Sequence, residues 1–140
     1  MTLKGKKAHL DRLRRLTAPS AMKAIAGVIH AGADSIRAVA YQSISRGSAS
    51  GNSGGKHQHV ASRPGEPPNR DTGDLQANLK TVKDGPLSAQ VVSEAEHAAP
   101  LEFGTSNMEA RPYLRPARDK MEPEIRADMA RRINRIVKGK

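Results

Sequence analysis

Cysteine and tryptophan are absent from this chain, and its aromatic side chains amount to Tyr41, Phe103 and Tyr113. The lack of cysteine excludes a disulfide scaffold and a thiolate metal site, and suits assembly in a reducing cytoplasm. The shortage of aromatics removes the side chains that bury most area per residue, so the core must come from Leu, Ile, Val, Met and Ala. A 140-residue monomer with so lean a core is marginal, which favours a protein stabilised by assembly. Long apolar runs are missing as well. The longest, residues 24–33, contains His30 and two glycines and is far too short to span a bilayer. The basic start, Met1 to Lys7, leads into no apolar signal-peptide core. No membrane association is expected.

Catalytic signatures are lacking too. The sequence has no Gly-x-Ser-x-Gly elbow, no phosphate-binding Gly-x-x-x-x-Gly-Lys-Ser/Thr and no Gly-x-Gly-x-x-Gly. Glu94, Glu96 and Glu102 are close in sequence, but on a strand and loop such acids form a solvated or interface face. His57 and His59 flank Gln58. Alternate residues of an extended chain point to opposite sides, and neither cysteine nor an acidic cluster completes a metal site. The chain therefore reads as non-enzymatic, with no cofactor and no metal.

Charge is present in excess and unevenly placed. Of the net +10, residues 1–23 contribute +6 (seven Lys/Arg, one acid) and residues 111–140 another +6 (ten Lys/Arg, four acids). The middle, residues 24–110, carries seven bases and nine acids, giving −2. Basic ends on a mildly acidic body suit either nucleic acid or an acidic neighbour. Arg131, Arg132 and Arg135 are the candidate basic contacts.

The pattern predicts an α+β fold in one domain over residues 1–140. Leu10, Leu13 and Leu16 make an apolar stripe on a short basic helix. After Pro19, with Ser20 as N-cap, Met22, Ile25, Ile29, Ile36, Val39 and Tyr41 mark a helix over 21–45. Gly27 and Gly32 weaken it locally, or admit a second helix. Residues 46–73 hold six of the twelve glycines and three prolines and read as a long flexible loop, with 47–61 disordered in a free subunit. Asp84-Gly85 signals a hairpin between strands over 79–83 and 87–91. A terminal helix carries the stripe Met121, Ile125, Met129, Ile133 and Ile136, with Pro116 in its first turn and Pro123 kinking it or delaying its start.

Two blocks stand out. In Glu102-Phe103-Gly104-Thr105-Ser106, Phe103 reads as a core anchor and Gly104 as a backbone angle that other residues resist. Glu102, beside that anchor, wants a partner, and Arg111 or Arg115 are the natural candidates. In Arg111-Pro112-Tyr113-Leu114-Arg115-Pro116-Ala117, two prolines hold Tyr113 and Leu114 as anchors while Arg111 and Arg115 project as donors. This segment is either a rigid lead-in packed on its own subunit or an arm for a subunit interface.

These blocks, with Ser62-Arg63-Pro64-Gly65-Glu66-Pro67-Pro68 and Asp71-Thr72-Gly73-Asp74-Leu75 upstream, come in an order and spacing that resembles a family of small tail components of long-tailed bacteriophages and prophages, of the neck or tail-completion type. His97 and Pro100 depart from that pattern, which commonly has tyrosines just before Glu-Phe-Gly. The resemblance implies an α+β structural subunit with a long helix, a small sheet and a terminal helix. It also implies a closed ring, a hexamer, at the head–tail junction of the virion, assembled in the host cytoplasm. Its partners would be head-closure, tail-terminator or tail-tube proteins. Genome DNA would pass through the lumen without tight binding. A tail terminator and a small basic nucleic-acid-binding protein are the alternatives. The scarcity of aromatics for base stacking and the lack of a recognition-helix motif weigh against the last.

Overall fold

The computed structural model describes residues 4–46, 52–54 and 59–140, with 52–54 and 59 described by backbone only. Helix α1, Lys6–Thr17, and helix α2, Pro19–Arg46, are separated by one extended residue, Ala18 (φ −63°, ψ 143°). Pro19 occupies the first helical position, where its missing N–H costs nothing. The Met22 N–H donates to the Ala18 carbonyl at 3.0 Å. The expected Ser20 cap is displaced, because the proline already supplies a helical φ.

Helix α2 has 28 residues and buries mostly small ones: Ala21, Gly32, Ala33 and Ala40, with Ile44. Small residues let neighbouring backbones approach. A Cβ added at Gly32 would sit 2.9 Å from Ile125 Cγ2 of helix α5, Leu114–Lys138, which lies along α2. Gly27 has open space around it, so only the second of the two glycines serves helix contact. Met121, Ile125, Met129, Ile133 and Ile136 are each half-buried on α5, as their spacing predicts. Pro123 lies inside the helix; it does not delay the start.

Two hairpins complete the architecture among the described residues. Strands β1, Asn52–Gly54, and β2, His59–Ala61, pair antiparallel. After the short helix α3, Asp74–Ala77, strands β3, Leu79–Gly85, and β4, Ser88–Ser93, pair antiparallel from Leu79↔Ser93 to Lys83↔Ala89, with an irregularity between Lys83 and Gly85. This second hairpin packs on α2 through Leu79, Thr81 and the half-buried Ala89 and Val91. Helix α4, Ala98–Phe103, follows.

Part of the span 46–73, expected from the sequence to be a flexible loop, makes backbone and side-chain bonds among the described residues. β1 and β2 pair, the Asn69 amide donates to the Val60 carbonyl at 2.7 Å, and Gly65 N–H donates to Ala110 O at 2.9 Å. Backbone ladders and side-chain amides can order a glycine-rich segment that buries little apolar area. The expected disorder of 47–61 lies largely outside the described residues.

The core cluster joins Ala40, Ile44, Leu75, Leu79, Ala95, Ala98, Tyr113 and Ala117. Only Tyr113 and Ile44 are large and fully enclosed. The four alanines of the cluster thus fill space that bulkier residues fill in most cores. The lean core expected from composition is what forms.

Candidate functional site

The two sequence blocks meet at one corner. Helix α4 ends at Phe103, and Gly104 turns the chain with φ 76°. Its N–H closes on the Pro100 carbonyl at 2.8 Å. A Cβ there would lie 2.9 Å from both Ala110 N and Met108 O, so both the angle and the space demand glycine. Thr105 and Met108 bridge each other, and Arg111 N–H donates to Leu101 O at 2.6 Å. The chain doubles back, and α5 starts directly above Glu102.

The Glu102 carboxylate is buried there. It accepts N–H bonds from Tyr113 at 2.9 Å, Leu114 at 3.0 Å and Arg115 at 2.8 Å. A helix start leaves such donors without intrahelical acceptors, and its dipole favours an anion. No side chain caps α5 locally, so Glu102 caps it from eleven residues upstream. This corrects the expected ion pair with Arg111 or Arg115. Three preorganised backbone donors satisfy a buried carboxylate without confining a long side chain. Arg111 instead donates from Nε to the Ser62 carbonyl at 3.0 Å, tying the 60s segment to the corner. The Arg115 side chain is exposed.

Tyr113 is 1% exposed and Leu114 packs against the same core. Both pack within their own subunit, as a rigid lead-in would. Burial raises the Tyr113 phenol pKa, the Ser93 hydroxyl beside it opposes the shift, and the Glu102 charge adds to it. The two hydroxyls are buried beside each other, and burial, the larger effect, prevails.

Phe103 contradicts the sequence reading. It is 71% exposed, the most exposed large hydrophobic among the described residues, and not a core anchor. The reason is Glu102. On a short helix the two adjacent side chains point apart, and the inward position is taken by the carboxylate that α5 requires. Phe103 stands at the rim of an apolar groove of about 590 Å3, floored by Ile29, Ala33 and Ile36 of α2 and walled by β4 and by Leu114 and Ile125 of α5. Arg115 and Arg118 sit at its edge. This surface is apolar and concave, with no convergent pair of free titratable groups, which suits packing of another chain more than chemistry.

The basic ends converge elsewhere. A Cβ at Gly139, just past α5, would meet Arg15 Nη1 of α1 at 2.6 Å. Arg131 pairs with Asp128, and Arg131, Arg132 and Arg135 line a separate cleft of about 310 Å3 between α2 and α5. On α1, Leu10 and Leu13 are exposed at 41% and 45%, and Leu16 is half-buried, so the predicted stripe is spent only in part on its own subunit. His57 and the His59 side chain lie outside the described residues. Among the described residues no cluster of three or more His, Asp or Glu is arranged to hold a metal, and no helix is long and apolar enough to cross a membrane.

Sequence reasoning missed the buried Gln76, whose amide donates to the Tyr41 carbonyl at 3.3 Å and to the Ser45 hydroxyl. This bond pins α3 to the end of α2, and no local pattern signals it.

Residues 7–104 match a protein family described as bacteriophage HK97-gp10, putative tail-component. The chain belongs to this HK97-gp10-like family. The match takes in α1 through Gly104, hence Glu102 and Phe103, and ends before the Arg111-to-Ala117 block and α5. Family membership bears out the resemblance read from the sequence, and the α+β architecture follows the same reading. No curated protein and no solved structure matches the chain.

Proposed function

We propose that this chain is a structural phage tail protein, not an enzyme, and that it works as one subunit of a closed ring at the head–tail junction. The observation that carries this reading is the pairing of a rigid corner with an exposed Phe103 and an apolar groove. Anchors of this kind dominate protein interfaces when their position is fixed beforehand. A groove with Phe103 at its rim that meets a different patch of the next copy makes a heterologous contact, and such contacts form rings when their rotation closes. The reading places the protein in the virion, next to head-closure, tail-terminator or tail-tube proteins. A hexamer is the expected ring, and residues 1–140 act as one unit.

The converged basic ends fit an acidic face of a neighbouring ring. A lumen that gripped phosphates would resist passage of the genome, so tight DNA binding is not part of this proposal. A salt titration separates the two. Duplex DNA bound at submicromolar strength near 0.15 M salt, with a log–log slope near −0.9 per contact and abolished by neutralising Arg131, Arg132 and Arg135, would replace docking by nucleic-acid binding. For the ring, electron microscopy of particles carrying this protein is expected to show a closed collar on the tail axis. Isolated copies away from that axis would overturn the reading.

A further inference from the structure

The β3–β4 hairpin is a two-stranded sheet, and no described strand pairs with the outer edge of either strand. Bonded and non-bonded residue pairs alternate along an antiparallel ladder. Glu94 N–H donates to Asn78 O at 3.1 Å, continuing the register of Leu79↔Ser93. It follows that Lys80↔Val92 and Val82↔Gln90 are the bonded pairs. Leu79, Thr81 and Lys83 turn their N–H and C=O groups to the outer edge of β3. Ala89, Val91 and Ser93 turn theirs to the outer edge of β4.

Ala89, Val91 and Ser93 are also the β4 residues that line the apolar groove, and no β3 residue lines it. The groove therefore lies along the open edge of β4. Ser93 and Tyr113 both line the groove, and their hydroxyls are buried beside each other. Apolar floor and open backbone groups together call for an occupant that brings both apolar surface and main-chain polar groups. An added strand has that chemistry. The same chain carries a matching strand: the outer edge of β3 offers three open residues at the same alternate spacing. An edge of this kind left bare is a liability that closure removes.

We propose that copies of this chain join edge to edge, β4 of one pairing antiparallel with β3 of the next along the apolar groove. Each copy uses its two edges once, so the contact is heterologous and propagates around a ring into a continuous sheet. The inference deepens the ring reading and rests on it.

Proline tests it without breaking the hairpin, because Val91 and Lys83 do not donate across β3–β4. Val91→Pro removes a donor from the β4 edge and Lys83→Pro one from the β3 edge, and each hairpin retains its own ladder. Each variant alone is expected to self-associate at least tenfold more weakly than the parent in sedimentation velocity. Mixed, they retain one intact edge of each kind and are expected to form dimers that grow no further. Residue-resolved hydrogen exchange in assemblies of the parent gives a second readout. Amides of residues 79, 81, 83, 89, 91 and 93 should gain protection on assembly, whereas those of 80, 82, 90 and 92 are protected already in the free subunit. Rings that form with both prolines in place, or protection without this alternation, would overturn the edge pairing and leave the ring reading standing. A parent that stays monomeric to millimolar concentration and is absent from the tail axis would overturn both.

Discussion

The corner between α4 and α5 and the outer edge of β4 face the same groove, and they treat backbone polar groups in opposite ways. At the corner the backbone donors find acceptors: Glu102 takes three, Gly104 closes on Pro100, and Arg111 bonds through both its backbone and its side chain. Along β4, alternate backbone groups are turned to an edge that no described strand pairs with. A buried polar group without a partner costs roughly 1–3 kcal/mol, so a fold keeps such groups where something else supplies the partner. The corner is built to hold the subunit together. The edge is built to be completed. Glu102 and Phe103 carry the same division within two adjacent residues, the charged one buried and the aromatic one in solvent.

The largest effect that sharpens this contrast is at the corner. Tyr113→Ala should destabilise the subunit by about 3–5 kcal/mol, because it opens a cavity at the largest buried side chain; urea unfolding measures it. Glu102→Ala comes next, at about 2–4 kcal/mol, since three helix-start donors lose a charged acceptor. Glu102→Gln should recover part of that loss in the same assay, and a Glu102→Ala variant as stable as the parent would mean that water caps α5 equally well. Gly104→Ala should cost about 1–3 kcal/mol, from the left-handed angle and the two close backbone atoms.

A smaller effect lies outside both regions. The Thr81 hydroxyl, which donates to Asp34 Oδ1 at 2.8 Å, lowers the Asp34 pKa below 3.8; burial opposes this, and Arg37 and His30 add to it. A lowered folded-state pKa gives stability that is present above the unfolded value and lost as pH falls through the folded one. Asp34→Asn should therefore flatten the acid limb of the stability curve below about pH 4 and leave neutral stability within about 1 kcal/mol, because the pair is largely solvent-screened.

Much of this was legible in the sequence. Helical spacing gave α2 and the half-buried stripe of α5, and Asp84-Gly85 marked the hairpin. The two blocks pointed to each other because a carboxylate beside an apolar residue needs a partner. What could not be read is direction. Hydrophobicity assigns Phe103 to the core, and only the long-range demand of an uncapped helix start reverses that. The same holds for Gln76, which serves a residue 35 positions away. Edge parity is likewise a property of the pairing register, which alternation along one strand does not contain.

The most direct test of the division between fold and assembly is the unfolding free energy of Phe103→Ala, measured on the monomer. The account predicts a loss under about 0.5 kcal/mol, as for a surface substitution, with assembly impaired. A loss of about 3–5 kcal/mol, the size expected for a buried aromatic, would contradict it and return Phe103 to the core.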